Sequence, residues 1–170
     1  MTIKVSGSTF EIRPVTEGES IAVLEVYRQC EDFLALGPVA KASLEMVQND
    51  ITASQQQGGI FCGIYINNGK MIGIVDYVPC NFEGTPCLAF LSLLMISIPF
   101  RKLGIGKAVV AAVETEIRKT VQVAAIHSSV QVNNPQAIRF WQKNGYRIIS
   151  GPEKMPDQTT VFVLQKDLHL

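Results

Sequence analysis

The chain has 170 residues, 47% hydrophobic and 18% charged, with a mean hydropathy of +0.20. That excludes intrinsic disorder, and the length fits a single domain over residues 1–170 whose core needs no disulfide staples. Lys plus Arg total 15 and Asp plus Glu total 15, so there is no basic surplus to hold a nucleic-acid backbone or an anionic membrane, and neither is expected as a partner.

The first eight residues lack the apolar stretch of a secretory signal. The longest apolar run, residues 87–100, is interrupted by Ser92, Ser97 and Pro99; it falls short of the ~20 residues of a membrane span and reads as a buried strand. Cys30, Cys62, Cys80 and Cys87 form no C-x-x-C pair, and His127 and His169 are the two histidines. No metal site is therefore expected. Buried, reduced thiols suit a cytoplasmic protein.

Residues 8–15 alternate Phe10 and Ile12 and read as a first strand ending at Pro14. Over residues 17–36 Ile21, Leu24 and Tyr27, then Cys30 or Leu34, recur at helical spacing. A second helix is expected over residues 39–57, with Leu44, Val47 and Ile51 on one face and Gly58-Gly59 ending it. Two β-rich runs, residues 60–66 and 71–78, flank Asn67-Asn68-Gly69-Lys70, a hairpin signal that predicts a type I′ turn. Residues 79–86 read as a loop, and residues 87–98 as a central strand covered on both faces.

A helix is expected over residues 104–119, with Val109, Val110, Val113 and Ile117 inward, then a strand over residues 124–132. Asn134 can cap a further helix with Pro135 at its first position, and Gly145 suits the left-handed residue beyond its end. Residues 146–150 and 160–165 read as closing strands. This order describes a mixed α/β domain.

Ile98-Pro99-Phe100-Arg101-Lys102-Leu103-Gly104-Ile105-Gly106-Lys107 joins an apolar strand to an amphipathic helix. Two glycines permit a tight turn, and the first N–H groups of the helix lack internal acceptors. With the helix dipole and Arg101, Lys102 and Lys107, they form an anion site suited to a pyrophosphate; the plainer reading is a tight strand–helix turn. A right-handed crossover would return the next strand parallel and put this turn at the carboxyl ends of both strands, where open α/β sheets bind ligands. A nucleotide-binding P-loop is excluded because Arg101 replaces its first Gly and Ala108 its Ser or Thr. A dinucleotide fingerprint is excluded because Val109 replaces its third Gly.

Arg101-Lys102-Leu103-Gly104-Ile105-Gly106 matches the Q/R-x-x-G-x-G/A turn of the GNAT superfamily of acetyl-CoA-dependent N-acyltransferases. Leu93-Leu94-Met95-Ile96 resembles that family's central strand, and residues 132–146 resemble its N-x-x-A…Y-x-x-x-G-F/Y segment. The resemblance runs along essentially the whole chain. It implies a GNAT-like α/β fold: a central mixed sheet with splayed parallel strands, flanked by about four helices.

It also implies acetyl transfer from acetyl-CoA, the cosubstrate, to a primary amine by direct attack in a ternary complex, without a metal. The backbone of Arg101, Lys102, Leu103, Gly104, Ile105, Gly106 and Lys107 would hold the pyrophosphate. Leu94 and Ile96 would pair with the pantetheine arm as an added strand. Asn134 would lie near that arm, or serve only as a helix cap. At the family's usual tyrosine stands Trp141, whose indole can donate a hydrogen bond but not a proton near neutrality; it either packs or touches the arm.

A lysine-like amine with a pKa of ~10.4 must lose a proton before attack. The central strand lacks the carboxylate that some members carry there. Asp76, conspicuous in an apolar strand, is the first candidate base, through a water relay, and Glu83 in the following loop the second. His127 reads as a packed or hydrogen-bonded histidine. Two other readings compete: a catalytically silent acyl-CoA sensor or partner module, and a generic nucleotide-binding domain. The acceptor, a small-molecule or peptide amine, is expected to meet the N-terminal helices, residues 79–86 and the final strands. Glu17, Glu19, Glu31, Asp32 and Glu83 could attract it. A homodimer is compatible with the family's habit and the neutral charge.

Overall fold

A computed structural model describes residues 1–120 and 122–168, so His169 lies outside the described residues. Its strands are β1 (Thr2–Val5), β2 (Ser8–Pro14), β3 (Ile60–Ile66), β4 (Met71–Val78), β5 (Leu88–Ile96), β6 (Ala125–Gln131), β7 (Arg147–Lys154) and β8 (Thr160–Asp167). The helices are α1 (Ser20–Arg28), α2 (Glu31–Leu34), α3 (Leu44–Gln56), α4 (Ile105–Ile117) and α5 (Pro135–Lys143). The strands form one mixed sheet in the order β1-β2-β3-β4-β5-β6-β8-β7. All neighbours are antiparallel except β5 and β6. One core, with Leu91, Val109, Val113, Ile126 and Trp141, lies between the sheet and α4 and α5. The other, with Val23, Tyr27, Val47, Ile74 and Met95, lies under α1 and α3 on the opposite face.

The hairpin at β3–β4, the helix α4 with its four inward residues, and α5 with its ends all follow the sequence reading. The Asn134 side chain accepts from Ala137 N at 3.0 Å, Pro135 opens α5, and Gly145 has φ +88° beyond its end. Asn134→Ala removes that cap and is expected to cost about 1 kcal/mol, read as a drop of roughly 2–4 °C in melting temperature.

Five expectations change. Strand β1 precedes the predicted first strand; Ser6 and Gly7, at φ 48° and 82°, form the two-residue turn between β1 and β2. The first long helix breaks at Cys30 into α1 and α2, and its buried face is Val23, Leu24, Val26 and Tyr27, leaving Ile21 61% exposed. Helix α3 starts only at Leu44, where Ser43 Oγ accepts from Met46 N at 3.1 Å and fixes the N-terminus. In the β3–β4 loop only Gly69 has positive φ, so the turn is not type I′. The thiols also differ: Cys30 and Cys62 are buried, but Cys80 is half-buried and Cys87 exposed.

At the sheet's β2–β3 side Arg13 forks onto Glu19 at 2.8 and 2.9 Å, and Tyr65 Oη donates to the same carboxylate at 3.0 Å. The Arg13 guanidinium holds the Glu19 carboxyl well below the usual carboxylate range. A depressed folded-state pKa contributes stability above the unfolded value of ~4.3, lost as pH falls toward the folded value. Glu19→Gln is thus expected to melt below the wild type at pH 7 and to converge with it in acid. Melting curves between pH 7 and pH 2 check this.

Candidate active site

Strands β5 and β6 pair only from Leu88↔Ala125 to Leu91↔Ser128, although β5 continues to Ile96 and β6 to Gln131. Ser128 Oγ donates to Leu91 O at 2.8 Å at the last paired position. Beyond it the parallel strands splay. The opening is a cleft of about 800 Å³ lined by residues 92–96 of β5, 128–131 of β6, the turn after β5, and α5. Because β6 has left, the β5 edge there can pair with an extended ligand.

The central strand is therefore not covered on both faces along its length. A bulge explains part of the change. Tyr77 of β4 pairs with Leu91 and Asp76 with Leu93, which leaves Ser92 as an extra residue on β5. The alternation flips across it. Ala89 and Leu91 lie in the α4 core, whereas Leu93 and Met95 pack in the α1–α3 core.

At the far end of β5 the turn carries two left-handed residues, Lys102 at φ 62° and Gly104 at φ 86°. Gly104 is the N-cap of α4 and has no side chain to cap with; the first helical bond is Ala108 N to Gly104 O at 3.1 Å. The N–H groups of Ile105, Gly106 and Lys107 thus have no intrahelical acceptor, and Gly104, Gly106 and Lys107 line the cleft. Leu103 and Lys102 are exposed, while the Ile105 side chain is buried in the core, so it can offer only its backbone. A Cβ on Gly106 would meet the Phe140 ring at 3.4 Å, which keeps this turn close to α5. An uncapped helix start with Lys102 and Lys107 beside it fits a pyrophosphate.

Arg101 is placed differently from its sequence reading. Its Nη1 and Nη2 fork onto Asp32 at 2.5 and 3.0 Å, and its Nε donates to Ile96 O at 2.7 Å. The guanidinium therefore braces the turn against α2 rather than adding its full charge to an anion site. The same bonds occupy the Ile96 carbonyl, which Cys30 Sγ also approaches at 3.5 Å. Leu94 lines the cleft half-buried. Asn134 caps α5 and also lines the cleft.

Trp141 is buried in the α4–α5 core, edge-on to Phe140 and Tyr146 at ring centroids of 5.3 and 4.9 Å, and reaches the cleft wall. Both readings of Trp141, packing and contact with a bound arm, are compatible with this place. His127 is hydrogen-bonded to Gln165 Oε1 at 2.9 Å and lies outside the cleft lining. Glu83 is exposed in the loop before β5, at the amino end of the strand, and does not line the cleft. The structure does not bring it to the site, because β5 runs away from it toward the turn.

Asp76 is only 7% exposed and does not itself line the cleft. Ser54 Oγ of α3 donates to its Oδ1 at 2.6 Å, and the bulged Ser92 Oγ donates to its Oδ2 at 2.6 Å and to its carbonyl at 3.0 Å. Ser92, unlike Asp76, is exposed and lines the cleft. In the sequence Ser92 reads only as an interruption of an apolar run. A hydroxyl in a central strand one ladder away from a lone carboxylate is the available signal.

Among the acids suggested as acceptor attractants, Asp32 alone lines the cleft, and it is paired with Arg101. Glu31 pairs with Lys41 and Glu19 with Arg13. Among the described residues no group of His, Cys, Asp and Glu could hold a metal ion, and no helix is long and apolar enough to cross a membrane.

The sequence model of the acetyltransferase (GNAT) family matches residues 25–146, well over half of the chain, which take in β5, the turn, β6 and α5. The chain belongs to the GNAT acetyltransferase family. A curated Drosophila melanogaster protein, "Probable N-acetyltransferase san", is 30% identical over 100 residues, which are 56% of this chain and 54% of that protein. The chain thus spans about half the length of the curated relative it matches. An acetyltransferase structure from Thermus thermophilus superposes with a TM-score of 0.76 at 21% identity, covering 99% of this chain and 100% of that one. The PaiA N-acetyltransferase of Thermoplasma acidophilum, solved in complex with coenzyme A, has a TM-score of 0.68 at 17% identity and covers 94% of this chain and 99% of that one. At these identities the structural likeness shows the GNAT fold.

Proposed function

We propose that the protein is an N-acetyltransferase that binds acetyl-CoA in the β5–β6 cleft and transfers its acetyl group to a primary amine by direct attack in a ternary complex. The observation that carries this reading is the joint geometry of the cleft: an uncapped helix start flanked by Lys102 and Lys107 at one end, and an unpaired β5 edge leading from it to the splay point. The first suits a pyrophosphate and the second an amide-bearing arm. That a GNAT structure of like fold was solved with coenzyme A supports the same ligand. Bound acetyl-CoA supplies an activated thioester carbonyl.

This chain's residues bind and orient it. Backbone N–H groups of residues 104–107 take the phosphates, Leu94 and Ile96 run beside the arm, Asn134 stands at the cleft wall, and Trp141 closes the floor. Arg101 keeps the turn in place through Asp32. Asp76 holds the proton that the attacking amine must shed, and Glu83 has no part in the reaction. The acceptor enters past α2 and the β6–β8 end of the cleft, where Phe33, Leu36, Gln131 and Thr159 line the wall.

A panel of small-molecule and peptide amines incubated with acetyl-CoA tests this through release of free thiol. Amine-dependent release well above the buffer rate is the expected result. Binding of acetyl-CoA without release for any amine would make the protein an acyl-CoA-binding module instead.

A further inference from the structure

We propose that Ser92 is the group that receives the amine proton, with Asp76 behind it as the proton holder and Ser54 fixing the carboxylate, so that the bulge in β5 builds a Ser92–Asp76 relay into the cleft wall. This rests on the acetyltransferase reading above and replaces a relay through free water by one through a fixed hydroxyl.

Three observations meet at this point. The bulge inserts Ser92 into β5 at the residue after the last β5–β6 pair, so its side chain stands where the strands begin to diverge. A ligand arm lying along β5 from the turn at residue 101 toward Ser92 covers residues 96 to 92, about 13 Å at ~3.3 Å per residue, and ends at the splay point. Second, Asp76 is buried, and its bonding partners are two serines rather than a cation. A buried carboxylate without a cation is costly unless its oxygens are hydrogen-bonded, and here one of the two hydroxyls that satisfy it, that of Ser92, also faces the cleft. Third, Asp76 cannot meet a ligand directly, whereas the exposed Ser92 hydroxyl touches both the cleft and Oδ2.

The bonding pattern suits the chemistry. Ser92 Oγ donates its proton to Asp76 and keeps lone pairs facing the cleft, so it can accept from an amine N–H. The free base of the amine, its first proton already lost to solvent, attacks the thioester carbonyl carbon; the C–N bond forms and the carbonyl π pair moves onto oxygen. The nitrogen, now cationic, passes one proton to Ser92 Oγ while the Ser92 hydroxyl proton moves to Asp76 Oδ2. The oxygen pair then re-forms the carbonyl as the C–S bond breaks with its electron pair on sulfur, and the thiolate recovers a proton from Asp76 through the same hydroxyl. Amine and thioester are converted to amide and thiol, and Ser92 and Asp76 return to their starting states.

The titratable groups around Asp76 are Tyr27 of α1, Asp50 of α3 and Cys62 of β3, each of which feels the Asp76 charge. Tyr27 Oη donates to Asp50 Oδ2 at 2.6 Å, so this second carboxylate has its own donor. Asp76 shares its two oxygens between Ser54 and Ser92 and is the one connected to the cleft.

The test compares wild type with Ser92→Ala, Ser92→Thr, Asp76→Asn and the Ser92→Ala/Asp76→Asn double variant on the best acceptor of the amine panel. Acetyl-CoA affinity is measured by calorimetry on each variant, and kcat and KM from pH 6 to pH 10. Ser92→Ala is expected to lower kcat about 100-fold, the lower end of general-base effects, with acetyl-CoA affinity and acceptor KM within about threefold. Threonine, which restores the hydroxyl, should recover most of the rate. The double variant should lose no more than the worse single one, because the two residues act as a unit. The deficit should shrink toward pH 10, where solvent hydroxide can take the proton.

A Ser92→Ala variant with at least half the wild-type kcat, or losses that multiply in the double variant, overturns the relay while leaving acetyl transfer intact. A Ser92→Ala rate loss matched by an equal loss of acetyl-CoA affinity also overturns it, since Ser92 would then be shaping the cleft. Wild type that binds acetyl-CoA but acetylates no amine overturns the enzyme reading, and the relay with it.

Discussion

Acetyl-CoA and CoA at 100 times their Kd are expected to raise the melting temperature by roughly 5–10 °C, and ATP and NADH to leave it unchanged. The size follows from linkage: ligand at that concentration stabilises by ~2.7 kcal/mol, and a domain of this length gains roughly 2–4 °C per kcal/mol. The selectivity follows from the site. One end is an uncapped helix N-terminus with two lysines, which any nucleotide phosphate could use. The other is an unpaired strand edge, which rewards an extended chain with amide groups.

Gly104→Val should abolish the shift. Gly104 has φ +86°, a conformation that strains a β-branched residue by about 1–2 kcal/mol and that valine relieves by moving the turn. The variant is expected to fold and to melt several degrees lower, because a Cβ there meets only Val5 Cγ1 at 3.5 Å and no core atom. Its turn must twist out of the left-handed region, and the N–H groups of residues 105–107 then point elsewhere. A variant that still shows the full CoA shift would move the phosphate site away from this turn.

Trp141→Ala should be the most destabilising single change at the cleft, by about 3–5 kcal/mol, or roughly 6–20 °C in melting temperature. The indole is 6% exposed and sits edge-on between Phe140 and Tyr146. Its removal leaves a cavity under α5 that helix and sheet cannot close without moving the wall of the cleft. Trp141→Phe keeps most of the aromatic volume and should lose under half of that stability. It also separates packing from chemistry. If the indole N–H aids departure of the thiolate, Trp141→Phe lowers kcat even when its acetyl-CoA affinity matches wild type. Because a thiol ionises near pKa ~8.5, the thiolate leaves without a proton donor, and the expected kcat change is less than tenfold.

The elements that sequence reading recovers are those whose signals are local. Apolar residues at helical spacing locate α4, and Asn134, Pro135 and Gly145 fix both ends of α5. Arg101 to Gly106 mark the turn because glycine conformational freedom and free helix N–H groups are properties of a few adjacent residues. The readings that fail depend on neighbours far away in the chain. The buried face of α1 is set by the sheet it meets, not by its own periodicity, so Ile21 points outward. The Arg101 guanidinium reads as an unpaired charge in the turn, whereas α2 brings Asp32 against it across a sequence separation of 69.

The amino-acid order alone determined a mixed α/β chain with a tight glycine-bearing strand–helix turn and a capped helix after it, because hydrophobic period, capping and turn chemistry act over a few residues. Only the tertiary structure decided that β8 lies inside β7: Val161 and Leu164 of β8 are buried while every residue of β7 is exposed, and burial is settled by which edge the sheet offers. It also decided the candidate active site. The splay of β5 from β6, the bulge at Ser92 and the approach of Ser54 to Asp76 are matters of register between distant segments, and register is fixed by the packing of both faces of the sheet at once.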